Sequence, residues 1–477
     1  MPLKNDPTNA TTAIIGAGIT GLCVAHSLQQ QSSEQIPFEL FDSSQVVGGA
    51  IQSTNIDGYL AEHGPNSILL KDKRIAALLR QVGLDGDNVD TELLLARPEA
   101  RKRYIVQNGF TVAMPGTPIA LINSPLFSLK GKMRLLMEPF IGRFQKRGNP
   151  QREESFADFV RRRFGPELLA SAAAPFVSGI YAGNPEALSV RHAFPRLWAI
   201  EQKHRSILLG LIAQQFGSAN NPHQLKPSQI VSFRSGMHAL PNAIADSLPQ
   251  KSLHLGAKIS SIEPNDNGWT LTWTDQQGND LQKNYRNIVI TTPPHKLSRL
   301  TLPAKLHQTL QPVFDIESPP VTSLVLGFKR EEIAHPLDGF GMLIKQSENS
   351  PLLGVLFSSS MFDGRAPDGH VALTCMMGGS INPQYADNDD RVVLQELNKL
   401  LGVTGKPSFR HQTTWPQAIP QYSLNYQEKL NTLNTCEQSY PGLYLAGNYR
   451  NGISVVDCML NGLDLGKKLS RHSSTHH

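Results

Sequence analysis

Much of what would classify this chain at once is missing from it. No run of about 18 consecutive apolar residues occurs, which excludes a membrane-spanning helix. Cysteine is scarce: Cys23, Cys375, Cys436 and Cys458 are scattered through 477 residues. No pair has metal-ligand spacing and no disulfide framework is visible, so the usage fits a reducing compartment. The 15 histidines form no ligand cluster, and no metal is expected. A net charge of +5, from 45 basic and 40 acidic residues, is too small and too spread to argue for nucleic acid. No internal repeat or low-complexity tract stands out. Met1 to Thr12 has neither an apolar signal core nor an Arg-rich presequence, so export and a cleaved organelle leader are not expected.

What is present is globular. Hydrophobic residues make up 40% and charged residues 18%, and the length suits two or three domains. The strongest local signal comes first. Thr11 to Ile15 reads as a short buried strand, Gly16-Ala17-Gly18-Ile19-Thr20-Gly21 as a glycine turn, and Leu22 to Gln30 as a helix. Phe38 to Asp42 is a second strand ending in an acid, at the spacing of about 20 residues expected of a ribose-binding carboxylate. Gly16 permits the tight turn, Gly18 lets backbone approach a pyrophosphate, and Gly21 lets the helix pack against the strand. The helix N-terminus offers N–H groups and a positive dipole end to phosphate. A chance glycine cluster would not bring strand, helix and acid into register. Gly16, Ala17, Gly18, Thr20, Gly21, Asp42 and Ser43 are therefore candidate dinucleotide contacts, and this motif alone does not choose the dinucleotide.

Two further glycine elements follow the same logic. Val47-Gly48-Gly49-Ala50 and Gly58 to Ser67 let backbone pass close to a large flat ligand, adding Gly49, Ala50, Gly64, Pro65 and Asn66. This second element is similar to that of flavoproteins of the glutathione-reductase-like class. Near the far end, Gly442 to Asn448 reads as a strand into a glycine turn, with Gly452 to Asp457 opening a helix that runs to about Leu469. A helix N-terminus aimed at a flavin would stabilise the negative charge of its reduced form. Gly447, Asn448, Ile453, Ser454 and Val455 join the list. Between them, Ser232 to Met237 leads into a helix at Leu240 to Leu248. Gly256 to Ile259 is a strand whose Ile259 is placed to flank adenine, Trp269 to Trp273 alternates like a hairpin strand, and Asn287 to Pro293 is a buried strand into a turn.

More specific segments carry a family resemblance. These are Pro175 to Pro185, Leu188-Ser189 through Phe194-Pro195 and Leu197-Trp198, and Gly339 to Leu343. Leu356 to Ser359 with Phe362 and Arg365-Ala366-Pro367, Trp415 to Tyr422, and Ala446 to Tyr449 complete the set. From about Ala13 to Leu469 the chain resembles the FAD- and oxygen-dependent protoporphyrinogen/coproporphyrinogen oxidase family. Two departures stand out: Asp42 occupies a position where the family usually has Glu, and Asn425-Tyr426 lies where a His usually follows the Pro-Gln-Tyr segment.

The resemblance implies an α/β, amine-oxidase-like flavoprotein in three parts. A discontinuous glutathione-reductase-like FAD domain would comprise 1–75, 224–297 and 438–477. A β-containing substrate domain would comprise 76–110 and 298–437, and a helical, membrane-facing domain 111–223. It also implies non-covalent FAD, a porphyrinogen substrate losing six hydrogens in three hydride transfers, and dioxygen reduced to hydrogen peroxide. Positioning a flat substrate is then the protein's main task, and no strongly required acid–base residue is expected. Arg103 maps onto the family's carboxylate-binding arginine, and Phe340, Gly341, Leu343, Met376 and Gly179 map onto its substrate pocket. Trp415 maps onto a cofactor contact. Read blandly, Arg103 is a surface charge in a basic trio, and Phe340, Leu343 and Met376 are core. His63 is expected to hydrogen-bond backbone rather than touch flavin. Cys436 and Cys458 match no covalent-flavin pattern and are expected to be buried thiols.

From Phe127 to Gly165 the chain carries ten basic residues against four acids, interleaved with Met133, Leu135, Leu136, Met137, Phe140, Ile141 and Phe144. That basic amphipathic pattern suits an anionic bilayer surface, and equally a solvated helical hairpin. The family's peripheral attachment favours the membrane, at the cytoplasmic face of a bacterial inner membrane or in its cytoplasm; a homodimer is left open. Coproporphyrinogen, with four carboxylates, is the nearest rival substrate and would favour extra cations near Arg103. A flavin amine oxidase would need an aromatic cage, where Arg103 is out of place. A catalytically silent FAD-binding protein is the rival of another class.

Overall fold

The computed structural model describes residues 12–30, 37–85, 92–116, 120, 123–142, 153–218, 229–387 and 389–474. Its first sheet is five-stranded, parallel, and assembled from distant parts of the chain. The strand order is Leu253–Leu255, Phe38–Asp42, Thr12–Ile15, Asn287–Ile290, Leu443–Leu445. Thr12–Ile15 and Asn287–Ile290 are buried at every position, as parallel strands covered on both faces must be. The helix Ile19–Gln30 leaves the glycine turn and packs along the carboxyl-terminal helix Val455–Ser474. Small residues permit the approach: a Cβ on Gly462 would lie 2.5 Å from the Thr20 carbonyl oxygen, and one on Gly466 2.5 Å from Ser27 Cβ. The start of the chain is thus completed by its end. An antiparallel meander, Lys258–Asn265, Gly268–Thr274 and Asp280–Tyr285, adds Trp269, Leu271 and Trp273 to the core. The alternation of its middle strand is complete, with every second residue buried.

The second large sheet has seven strands in the order Phe409–Trp415, Val321–Lys329, His370–Gly378, Leu352–Leu356, Gly341–Ile344, Tyr104–Gln107, Phe110–Ala113. All neighbours are antiparallel except Gly341–Ile344 with Tyr104–Gln107. Against one end lie the helices Leu129–Leu136, Phe156–Phe164, Ala174–Tyr181, Pro195–His204 and Ile207–Ser218.

This helical part corrects the charge reading of the sequence. The Arg161-Arg162-Arg163 run does not face outward as a cationic strip. Arg161 pairs with Asp158 and Glu186, each at 2.6 Å. Arg162 grips Glu154 through two hydrogen bonds of 2.7 Å and reaches Glu201 at 2.9 Å. Arg163 is fully buried between Glu138 and Glu201. Glu138, also fully buried, accepts from Ser206 Oγ at 2.5 Å and Ile207 N at 2.9 Å, capping the helix Ile207–Ser218. The physical reason is local: Phe159 and Val160 turn inward with Arg163 on one helix face. Arg143, Phe144, Lys146, Arg147 and Arg152 lie outside the described residues. Part of the apolar pattern is exposed, with Leu136 at 72% and Phe140 at 79%, beside Met133, Met137 and the preceding Leu129 at 78%, whereas Leu135 is buried. Among the described residues, no helix is long and apolar enough to cross a membrane.

Candidate functional site

The three glycines of the amino-terminal turn do different work. Gly16 has φ +109°, and a Cβ there would lie 2.6 Å from Thr291 Oγ1. A Cβ on Gly21 would lie 2.0 Å from the Gly16 carbonyl oxygen, whereas one on Gly18 would meet nothing within 4 Å. Two glycines therefore close the protein on itself, and the third is bare toward open space. Gly18 bridges to Gly48, a Cβ on Gly49 would lie 3.7 Å from Gly18 Cα, and one on Gly64 would lie 2.5 Å from the Ala50 carbonyl oxygen. The first two glycine motifs, with Gly64, thus form one track of backbone stripped of side chains. Thr20 is buried in the first turn of the following helix, while Pro65 and Asn66 are half-buried beside the track.

Asp42 sits at the predicted strand end and is tied into this track. Its Oδ2 accepts from Ala17 N at 2.7 Å and its Oδ1 from Ser44 N at 2.8 Å. One methylene shorter than Glu, it lies against the turn; each oxygen keeps a lone pair that can still receive a ribose hydroxyl. Ser43 beside it is exposed. Ala257 N donates to the Asp42 carbonyl at 2.9 Å, which brings half-buried Ile259 to the same end of the sheet. Thr292 Oγ1, next to the Gly16 turn, is buried without a hydrogen-bond partner. A bare glycine, an open helix N-terminus, an acid with spare lone pairs and an orphaned hydroxyl at the ends of parallel strands are the donor and acceptor set that a dinucleotide requires.

At the other end of the track, Trp415 Nε1 donates to the His63 carbonyl at 2.8 Å. The His63 side chain differs from expectation: Nε2 meets Thr54 Oγ1 at 2.7 Å, and the ring stacks on His411 at 4.7 Å. Burial, together with the nearby His411 and His238, lowers its pKa. Glu62, one residue earlier, is buried and accepts from Ser53 Oγ at 2.5 Å and Met237 N at 2.9 Å. Burial pushes its carboxyl up to about 7 although the Arg365 guanidinium lies 3.9 Å away. The carboxyl-terminal turn has Gly447 at φ +145° and Gly452 at φ +127°. Asn448 and Ile453 are half-buried there. Ser454 caps the helix that begins at Val455, accepting from Asp457 N at 3.1 Å.

Several of the expected substrate residues share one row of the second sheet. Across the seven-stranded sheet, register aligns Leu343, Gly354, Met376, Ser323 and Thr413 in one row. Ser323 Oγ donates to the Glu62 carbonyl at 3.3 Å, so the row begins beside the second glycine motif. At its far side a Cβ on Gly179 would lie 2.6 Å from Leu343 Cδ2. Phe176, Gly179 and Ile180, one face of the helix Ala174–Tyr181, are exposed there. Gly341 has φ +147°, and a Cβ would strike the Val355 carbonyl at 2.2 Å. Arg103 is exposed, with its guanidinium 5.3 Å over the Phe340 ring. Its neighbour Lys102 pairs with Asp338 at 2.6 Å.

Three contributors escaped the sequence: His411, the Glu62–Arg365 pair, and Tyr422 with Tyr426, which hold the carboxyl-terminal turn. Among the described residues no group of three or more His, Cys, Asp or Glu could hold a metal. All four cysteines are buried free thiols.

With the geometry in place, comparison with known proteins adds the following. The family described as flavin containing amine oxidoreductase matches residues 19–464. Protoporphyrinogen oxidase 2, chloroplastic/mitochondrial, of Arabidopsis thaliana is 32% identical over 474 residues, spanning 94% of this chain and 92% of that one. Coproporphyrinogen III oxidase of Bacillus subtilis (strain 168) is 29% identical over 469 residues, spanning 94% and 95%. The solved structure of a protein from Exiguobacterium sp. 255-15 shares the fold with a TM-score of 0.79, at 20% identity over 97% of this chain and 98% of that one.

Proposed function

The chain belongs to the flavin-containing amine oxidoreductase family, its cofactor is FAD, and from that premise we propose that it oxidises protoporphyrinogen to protoporphyrin. FAD supplies the two-electron acceptor. Three such steps remove six hydrogens, and three molecules of dioxygen become three of hydrogen peroxide. The observation that carries this reading is a cation over the edge of an apolar wall. Arg103 stands on Phe340, Leu343 and Met376 share one row of the sheet, and Gly179 lies against Leu343 beside exposed Phe176 and Ile180. Such a surface suits a flat tetrapyrrole with a carboxylate at its rim and not a neutral amine in an aromatic cage. Pro65, Asn66, Trp415 and the carboxyl-terminal turn are assigned to the flavin end, and the amino-terminal glycines with Asp42 and Ile259 to the adenosine end. The three-part division 1–75, 224–297 and 438–477, then 76–110 and 298–437, then 111–223, is proposed with it.

The two-carboxylate substrate is favoured over coproporphyrinogen because Asp338 occupies Lys102, a cation that four carboxylates would draw on. The test is anaerobic mixing of the purified flavoprotein with each porphyrinogen, followed by air. Protoporphyrinogen is expected to bleach the flavin fast and to yield fluorescent porphyrin. A preference for coproporphyrinogen would move the assignment to that substrate, and no bleaching by either would end it. In the same assay Arg103→Ala is expected to raise KM about tenfold or more with little change in kcat, because a remote carboxylate binds ground and transition states alike. A large fall in kcat at unchanged KM would remove Arg103 from this role.

Attachment to an anionic membrane surface, at the cytoplasmic face, is part of the proposal. Leu129, Met133, Leu136, Met137 and Phe140 are the exposed apolar residues that support it. Since the arginine run is paired internally, insertion rather than charge should dominate. Leu136→Glu with Phe140→Glu is expected to abolish flotation with phosphatidylglycerol-containing vesicles, while 0.5 M salt weakens it only in part. Complete release by salt alone would show that charge carries the contact.

A further inference from the structure

The segment Asn448 to Ser454 joins the last strand of the parallel sheet to the helix assigned to the flavin. Three of its carbonyls in succession are held by side chains from outside it. Tyr422 Oη donates to the Asn448 carbonyl at 2.8 Å, Tyr426 Oη to the Tyr449 carbonyl at 2.7 Å, and Asn461 Nδ2 to the Arg450 carbonyl at 2.9 Å. Tyr422 acts twice, because its hydroxyl oxygen also accepts from Gly452 N at 2.9 Å. The two tyrosine rings stack at 4.4 Å and 24°, and both residues are buried.

A held carbonyl fixes its whole peptide plane. Holding Asn448 and Tyr449 from one side, and taking the Gly452 N–H as well, leaves the turn one path into the helix Val455–Ser474. That path determines where the positive end of the helix begins. The clamp is not set by its own loop. Gln421 Nε2 donates to the Tyr181 carbonyl at 2.9 Å, and Ser189 N donates to the Tyr422 carbonyl at 2.8 Å. The helical part of the molecule therefore anchors the residues that aim the turn.

We propose that Tyr422 and Tyr426 are positioning residues that raise the reduction potential of the bound flavin by fixing the Asn448–Ser454 turn and, with it, the helix N-terminus. Partial positive charge at a fixed place favours the reduced, anionic form over the oxidised one. A turn free to drift offers that charge less well, and the reduced form loses more than the oxidised.

The experiment is a redox titration of the holoprotein and its Tyr422→Phe and Tyr426→Phe variants, with FAD affinity measured for each. Phenylalanine keeps the ring stack and removes only the hydroxyl. Tyr422→Phe is expected to bind reduced FAD about tenfold less tightly relative to oxidised FAD, a fall of about 30 mV for a two-electron couple. Tyr426→Phe, which loses one bond rather than two, should fall less. The readout does not depend on which porphyrinogen is the substrate. If Tyr422→Phe is too unstable to hold flavin, the Tyr426→Phe potential decides. Lower thermal stability with unchanged potentials would make the pair merely structural and overturn the proposal.

Discussion

Gly18→Ala is expected to fold like its parent and to be purified without colour. A Cβ at this position meets no protein atom within 4 Å and its φ is outside the left-handed region, so the methyl is expected to cost the apoprotein little. It also stiffens the unfolded chain slightly. The space it fills is the bare point of the glycine track, where a pyrophosphate must touch backbone. FAD affinity should therefore fall by about a hundredfold or more, as for a displacement of about 1 Å at a positioned contact. Gly21→Ala makes the contrast. Its methyl would lie 2.0 Å from the Gly16 carbonyl oxygen, so strand and helix must separate. This variant should lose stability as well as colour, by about 1–3 kcal/mol of overpacking. The measurements are apoprotein melting and FAD titration by fluorescence quenching. A yellow Gly18→Ala protein of parental affinity would show that the dinucleotide does not pass over this residue.

Arg163→Ala should cost more stability than any surface substitution in the helical part. It removes the cation between two fully enclosed carboxylates, Glu138 and Glu201, taking the cationic partner from Glu138 in a dry place and leaving Glu201 to Arg162. Breaking one member of a buried network costs about 3–5 kcal/mol. Arg161, two residues earlier and 41% exposed in its side chain, should cost at most about 1 kcal/mol when truncated. Urea unfolding of the two variants side by side is the check. Equal midpoints would mean that water reaches the network and that the burial has no energetic consequence.

The two arginines also illustrate where sequence reasoning succeeds and where it stops. The glycine turn, its strand, its helix and Asp42 were legible because their meaning is local: each residue acts on neighbours a few positions away. The helix begins at Ile19 rather than Leu22, a shift within the usual uncertainty of helix ends. The candidate pocket residues Phe340, Gly341, Leu343, Met376 and Gly179 rest only on resemblance, since pattern alone reads Phe340, Leu343 and Met376 as core. Charge counting misjudged the arginine run because Glu186 and Glu201 lie beyond the counted span, and because a sum does not show that Glu138, Glu154 and Asp158 each pair with it. His63 was read as a backbone contact, and its Thr54 and His411 neighbours come from a hairpin and a distant sheet edge. Tyr422 closes the segment Trp415 to Tyr422 and Tyr426 lies just past it, and nothing in either stretch tells that both reach the carboxyl-terminal turn. Contacts between remote segments have no periodicity to betray them.

The sheet built on Thr12–Ile15 gains its edge strand at Leu443–Leu445, and Ile19–Gln30, which also packs on Ala239–Asp246, makes its most extensive helix contact with Val455–Ser474. On the ribosome, Thr12–Ile15 and Ile19–Gln30 emerge long before these two partners. Until then part of the apolar side of Ile19–Gln30 is uncovered. Flavin retention is expected to depend on synthesis of this helix: a product terminated before Val455 is expected to hold no flavin and to show an apolar face to proteases and chaperones. Stalled nascent chains of increasing length should retain FAD only once Val455–Ser474 has cleared the exit tunnel.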